Sequence, residues 1–156
     1  MTPQQIAGKF QATDAHDDTA EGFAVRPATS RSKGCKVEIV LFRHWENKRR
    51  LLVLGNCANV ELMLDSNVLF DNCPSNTCAL EATADVAEIQ TMMQKQKSAW
   101  NLTYDESIDP LSPKLAAAAS YVLFRVRLFG GTLVVIARSF SIKSMPPAVA
   151  KLKSND

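Results

Sequence analysis

The chain has 156 residues, of which 46% are hydrophobic and 22% are charged, and its formal net charge is +2. This composition is typical of one globular domain with a single core, and it excludes a protein whose overall charge alone would drive it onto nucleic acid or an anionic membrane. No apolar stretch reaches the roughly 20 residues of a membrane helix and no secretory signal is visible, so we expect an intracellular protein without membrane contact, whose four cysteines are reduced.

The N-terminal part is polar and has no sustained hydrophobic periodicity. This pattern predicts a flexible segment in which Ile6, Phe10 and Phe23 act as docking points. The predicted organisation is a tail over 1–34, a folded domain over 35–147 and a second tail over 148–156.

Alternating apolar residues predict the first strands. From Cys35 onwards, Val37, Ile39 and Leu41 fall on one face, which we expect to be fully buried. The third strand carries Glu61 outward and its even-numbered apolar residues inward. Strands are predicted over 35–42, 51–54 and 60–64, with a short edge strand over 68–70.

The middle of the chain changes to a helical pattern. Asp85 followed by Glu88 resembles a capping box, and Val86, Ile89 and Met93 fall at helical spacing. We therefore predict a helix over 84–98, with a strand over 80–86 as the alternative. An acidic connection over 101–113 and a locally helical stretch over 114–119 follow.

Two β-rich runs meet at Gly130-Gly131 and predict a hairpin over 121–144. A two-residue turn at the glycines would place Leu128 opposite Leu133 and Val126 opposite Val135, with Arg125 and Arg127 on the other face. Val134 and Ile136 lie on that other face as well, so part of it is expected to be covered.

The last strand contains a change of phase. Leu133, Val135 and Ala137 point inward in this register, yet the next large apolar residues are Phe140 and Ile142. A bulge at Arg138-Ser139 would return both to the core and redirect the arginine. A strand buried on both faces with an irregular middle is the alternative.

The order of these elements predicts an all-β, mainly antiparallel fold. We expect an immunoglobulin-like β-sandwich with a helical insertion around 84–98. A partly open barrel of the oligonucleotide-binding type is the main alternative.

No motif indicates catalysis. Cys73 and Cys78 are separated by four residues rather than the two of a metal knuckle, and His44 has no nucleophile elbow near it. There is no glycine-rich phosphate loop. We therefore expect no enzymatic activity, no cofactor and no metal.

The segment from Arg43 to Arg50 is the strongest functional candidate. Its cations could neutralise phosphates, and Trp45 could stack on a base. A solvated hairpin with Trp45 folded onto the core is the alternative. The predicted nucleic-acid-binding residues are Arg43, Trp45, Lys48, Arg49, Arg50, Arg138 and Lys143.

The sequence of the closing hairpin, YVLFRVRLF followed by ARSFSIKSMPP, resembles the final strands of the p53-like and Rel-like immunoglobulin-fold transcription factors. VEIVLF and VELMLD are similar to the opening strands of those domains. The resemblance implies sequence-specific binding of duplex DNA through loops at one end of a sandwich, commonly as a homodimer, together with transcription regulation and a nuclear location. The base-reading arginines of that family have no recognisable counterpart in this chain.

Two other functions remain open. The helix-bearing insertion could form a protein-interaction module with Met92, Met93 and Trp100 docking a partner protein. An oligonucleotide-binding barrel could instead bind single strands through Trp45 and the hairpin.

Overall fold

A computed structural model describes residues 1–28, 34–64, 75–99 and 115–146. This part of the chain is mainly antiparallel β-structure, with two α-helices and two 3₁₀ helices, which confirms the predicted all-β class. The α-helices are α1 (Pro3–Gln11) and α2 (Val86–Ala99), and the 3₁₀ helices are His44–Glu46 and Leu115–Ser120. The strands are β1 (Thr19–Arg26), β2 (Cys35–Arg43), β3 (Lys48–Cys57), β4 (Asn59–Leu64), β5 (Ser75–Thr83), β6 (Val122–Leu128), β7 (Gly131–Ala137) and β8 (Ser139–Ser144).

The strands form one sheet in the order β4-β7-β6-β5-β1-β2-β3-β8. β3 continues into β4 through Ala58, and β7 continues into β8 through Arg138. Since β3 pairs with β8 and β4 pairs with β7, the segments 48–64 and 131–144 run antiparallel beside each other. We call them the long pair. They connect the two ends of the strand order, so the sheet rolls up around its core.

Helix α1 belongs to that core. Thr2 caps the helix reciprocally with Gln5, and Pro3 occupies its first turn, where no amide donor is needed. Its apolar stripe ends at Phe10, whose ring meets Phe124 edge-on at a centroid distance of 4.8 Å. Because α1 and β1 are both integrated into the fold, the expectation of a flexible tail is wrong for residues 1–28.

Among the predicted docking points, Ile6 and Phe10 are buried, whereas Phe23 on β1 is partly exposed. β1 pairs with β2 along its whole length but with β5 at Thr19 and Ala20 alone. The strand therefore leaves β5 early, and the Phe23 ring lies where the two strands have separated.

Most of the predicted strands and the helix are present. β3 is longer than predicted and includes residues 48–50, while Leu62 on β4 is 44% exposed instead of inward. α2 begins after Asp85, whose Oδ1 accepts the Glu88 amide proton at 2.9 Å. β5 was recognised only in its second half, as the alternative strand. The predictions for 68–70, 101–113 and 148–156 lie outside the described residues.

The hairpin turn lies one residue earlier than predicted. Leu128 pairs with Gly131, so the turn residues are Phe129 and Gly130, and Gly130 has a φ of 83°. The register is shifted by two residues, which keeps every side chain on its expected face. A Cβ on Gly131 would lie 2.5 Å from the Met63 carbonyl oxygen, so glycine allows β4 and β7 to approach closely at this end.

The phase change in the last strand is confirmed. Ala137 is in the core, and Phe140 and Ile142, which follow it by three and five residues, pack against the same core. Gly55 pairs with Ser139 and Asn59 pairs with Ile136, so the three residues 56–58 lie opposite only two residues, 137 and 138. The extra residue of this irregularity is therefore in the segment 48–64 of the long pair.

A second apolar cluster covers the outer face of β6 and β7. Ile89 and Met93 of α2 pack against Leu123, Val134 and Ile136. This explains why the outer face of the hairpin is apolar in sequence, and it confirms that the face is covered.

Candidate nucleic-acid interface

The basic segment 43–50 forms a tight connection between β2 and β3. One 3₁₀ turn, His44–Glu46, is followed by Asn47, whose φ of 49° lies in the left-handed region. Because β3 begins directly after Asn47, alternation places Arg49 on the outer face of the sheet and Arg50 on the same face as the buried leucines of β3.

Arg43 lies in a buried ion cluster. Its Nε donates to Asp18 Oδ1 at 2.9 Å, and its Nη1 lies 2.9 Å from Asp14 Oδ2 and 3.2 Å from Glu46 Oε1. Arg50 Nη2 donates to the second Asp18 carboxylate oxygen and, at 2.7 Å, to the Asp14 carbonyl oxygen. The hydrogen bond to Asp18 is the main reason why the pKa of Arg43 is raised above its ordinary value.

These contacts place Arg43 and Arg50 outside the predicted interface. Both guanidinium groups already donate to the buried Asp18 carboxylate, and a phosphate would have to displace that carboxylate, whose burial depends on the pairing. The physical reason is the alternation of side chains along a strand. Arg43 is on the same face of β2 as the buried Leu41, and Arg50 is on the same face of β3 as the buried Leu52, so both point to the inside of the sheet.

Neighbouring polar residues fix the chain around this cluster. The Thr19 hydroxyl donates to Asn76 Oδ1 at 2.9 Å and also lies within hydrogen-bond distance of His44 Nε2. The backbone amide of Thr77 donates to the Asp18 carbonyl oxygen at 2.8 Å. β5 is thus tied to the backbone of Asp18, and the 3₁₀ turn is tied to the adjacent Thr19.

The rest of the connection is exposed. Trp45 is 60% exposed, and the Arg43 guanidinium lies 5.1 Å from the centroid of its ring. Lys48 Nζ donates to Glu46 Oε2 at 2.9 Å. The pKa of Glu46 is lowered, first by Lys48 and then by Arg43. Trp45 and Lys48 remain accessible to a ligand, although the lysine is partly neutralised.

Arg49 lies on the outward side of the four adjacent strands β1, β2, β3 and β8, which we call the outer face. Its guanidinium is 4.6 Å from the Phe42 ring centroid and forms a bidentate pair with Glu21 at 2.8 and 2.9 Å. Glu21 chiefly raises the pKa of Arg49. Arg49 is therefore held as a flat, ion-paired group beside an aromatic ring.

The outer face combines partly exposed apolar side chains with cations. Its centre is apolar, and no described helix covers it. The apolar residues are Val40, Phe42, Leu51 and Val53, the cations are Arg26, Lys36, Arg49 and Lys143, and the carboxylates are Glu21 and Glu38.

Lys143 lies on this face, opposite Leu51. Arg138 is exposed at the irregularity of the long pair, where its guanidinium stacks 4.6 Å from the Tyr121 ring centroid. The structure thus brings Lys143 close to Arg49 but leaves Arg138 at the junction of β7 and β8. There the chain passes between the two halves of the sheet, which are β4-β7-β6-β5 and β1-β2-β3-β8.

The predicted partner-binding methionines are not exposed. Met93 is buried in the second apolar cluster, and Met92 is partly buried against it. Both cover β6 and β7 because α2 packs on that face. Trp100 lies outside the described residues.

Sequence reasoning missed Phe42, Lys36 and Arg26. The alternation of β2 places Phe42 and Lys36 opposite its buried residues, so their shared face could have been recognised. Arg26 could not be placed on this face from the sequence, because the residues that form β1 were expected to belong to the N-terminal tail. Arg26 and Glu38 pair at 3.0 Å across β1 and β2.

Comparison with known proteins adds no assignment, since no family model, curated protein or solved structure matches the chain. Within the described ranges, no helix is long and apolar enough to cross a membrane. The same residues contain no group of three or more His, Cys, Asp or Glu side chains placed to hold a metal ion.

Proposed function

We propose that the protein is a non-enzymatic nucleic-acid-binding domain that uses the outer face of β1, β2, β3 and β8. The observation that carries the proposal is the contrast between two parts of the outer surface of the sheet. α2 covers the outside of β6 and β7, whereas the outer face presents Phe42 with Trp45 near one end and cations around them.

Charge on this face supports phosphate binding. Arg26 and Arg49 are paired with carboxylates, but Lys36 and Lys143 are exposed and have no carboxylate partner among the described residues. They lie on β2 and β8, the two strands that flank β3. Lys36 is opposite Gly55 and Lys143 is opposite Leu51, so the two lysines are four residues, or about 13 Å, apart in the direction of the strands. An extended nucleic-acid backbone could contact both.

A single strand suits this surface better than a duplex. Unstacked bases can pack against a partly apolar sheet and its aromatic side chains, as in other β-sheet platforms. The rolled sheet with its joined ends likewise favours the barrel-like alternative over the immunoglobulin-like sandwich. Duplex binding, which the resemblance to p53-like and Rel-like factors implies, would instead use the Trp45–Lys48 connection.

Salt-titrated fluorescence anisotropy with labelled single-stranded and duplex oligonucleotides tests the proposal. The double variant K36A/K143A is expected to weaken single-strand binding and to reduce the log–log salt slope by about 1.4, which is two phosphate contacts. The matched control K95A/R127A removes two cations on the far side of the sheet and should leave both values unchanged.

Trp45→Ala is expected to lose about 1–3 kcal/mol of binding free energy if its ring stacks on a base. Equal losses in K36A/K143A and in the control, or no binding to either oligonucleotide at low salt, would overturn the proposal. A stronger effect on duplex than on single strands would favour the resemblance-based function.

A second candidate function is protein binding at β4. Leu62 and Met63 are 44% and 56% exposed on a strand that pairs with β7 on one side alone in the described sheet. Such an edge can accept a further strand. Binding of this kind would depend little on salt and would be weakened by L62S/M63S rather than by the lysine variants.

A further inference from the structure

Cys35 and Cys57 lie directly opposite each other where β2 begins and β3 ends. Facing residues of an antiparallel pair have Cα atoms about 4.5–5.5 Å apart, within the 4.4–6.8 Å range of disulfide-bonded cysteines. Both are free thiols in the structure.

Their side chains also share a face. Cys35 has the strand parity of Val37, which is buried in the core, and Cys57 packs against that core. The pairing shifts by one residue between Cys35 and Lys36, and Asn56 adopts a φ of 55°, which brings the two cysteines into opposition. Burial, followed by proximity to the Cys35 thiol, raises the pKa of Cys57 to about 12.

We propose that Cys35 and Cys57 are a modification site that closes to an intramolecular disulfide by exchange with a low-molecular-weight disulfide such as oxidised glutathione. The Cys35 thiolate attacks one sulfur of that disulfide and releases one glutathione thiolate, which leaves glutathione bound to Cys35. The Cys57 sulfur then attacks the Cys35 sulfur, gives up its proton and releases the second glutathione. The two protein thiols are oxidised, and one glutathione disulfide is reduced to two thiols.

The environments of the two sulfurs set this order. Cys57 is partly enclosed by the core and donates to the Leu54 carbonyl oxygen at 3.3 Å, so its thiol is protonated at neutral pH. Cys35 is half-buried at the first position of β2, beside the exposed Lys36. The new bond would join the start of β2 to the irregular part of the long pair.

The test uses the full chain carrying C73S/C78S, so that Cys35 and Cys57 alone can react. After incubation with oxidised glutathione, peptide mapping without reduction should show a Cys35–Cys57 crosslink in a monomer. Its melting temperature should rise by roughly 10 °C and return to the starting value with dithiothreitol.

Two further variants resolve the steps. Adding Cys57→Ser should stop the reaction with glutathione attached to Cys35, whereas adding Cys35→Ser should leave Cys57 unmodified over the same period. Glutathione that stays on Cys35 while Cys57 is present, or a crosslink found only between chains, would overturn the inference. The outcome does not depend on nucleic-acid binding, so it stands or falls separately from the proposed function.

Discussion

Asp18 joins two arginines in a largely buried site, so its substitution tests whether this ion cluster stabilises the fold. The Asp18 carboxylate is 0% exposed, while the side chains of Arg43 and Arg50 are 9% and 19% exposed. Asp18→Asn removes the negative charge and turns an amide toward two guanidinium groups. Leaving a buried charge without its partner costs about 3–5 kcal/mol, and among the described residues Asp18 is the carboxylate partner of Arg50, whereas Arg43 keeps Asp14 and Glu46. We therefore expect the free energy of unfolding to fall by about 4 kcal/mol.

Urea unfolding followed by tryptophan fluorescence measures this loss. With a slope of about 2 kcal/mol per molar, the midpoint should fall by about 2 M, and the slope itself should not change. The neighbouring Asp17→Asn is the matched control, because the Asp17 side chain is 55% exposed and its ion pair with His16 is a surface pair. That variant should lose less than about 0.5 kcal/mol.

Asp18→Asn combined with Arg50→Met should lose less than the sum of the two single variants, because removing one arginine leaves fewer buried cations without a partner. If Asp18→Asn costs no more than Asp17→Asn, or if the double variant is strictly additive, the ion cluster does not stabilise the fold in the way described.

Phe10→Ala should lower the free energy of unfolding by about 3–5 kcal/mol in the same urea assay, because its ring is fully enclosed by the core. In reducing buffer, stability should decrease between pH 9.0 and about 12, since the unfolded Cys57 thiol ionises before the folded one. The slope contributed by that thiol is at most about 1.4 kcal/mol per pH unit, reduced by its partial exposure, and a comparison of urea midpoints with Cys57→Ser isolates it. Gly131→Ala should destabilise by about 1–3 kcal/mol in thermal melts because of the Met63 carbonyl, whereas Gly22→Ala, with nothing within 4 Å of its Cβ, should be neutral or stabilising by up to about 1 kcal/mol.

Each of these predictions would be contradicted by a specific result. A Phe10→Ala variant as stable as Val25→Ala, whose side chain is exposed, would mean that α1 is not part of the core. Identical pH profiles for the parent and Cys57→Ser would remove the role of the buried thiol. Equal melting temperatures for the two glycine variants would contradict the close approach of β4 and β7.

Local patterns were sufficient for much of the fold. Strict alternation from Val37 to Leu41 identified β2, and the cap at Asp85 with apolar residues at helical spacing identified α2. The phase change before Phe140 was legible for the same reason, because a period of two makes a single displaced residue visible. α1 was missed although Thr2, Pro3 and Gln5 mark a helix start and Ile6 and Phe10 lie at helical spacing, because nine residues give only one short repeat of that pattern.

The site depended on contacts that a local pattern does not contain. A run of cations predicts a loop, but β3 begins inside that run, at Lys48. Because side chains alternate along a strand, Arg49 then points outward and Arg50 points inward. The carboxylate that receives them, Asp18, comes from a segment far earlier in the sequence. Only the assembled sheet decides which cations of this run remain available on its surface.

The long pair couples the two halves of the sheet through covalent bonds. Residues 48–64 and 131–144 each pass from one half into the other, so neither half can open without disturbing a strand that serves both. Amide protons on β3 and β7 should consequently exchange with solvent through one shared opening event, at similar free energies. Because these partners are distant in sequence, their loop must close before either ladder can form, and this pairing is expected to limit the rate of folding.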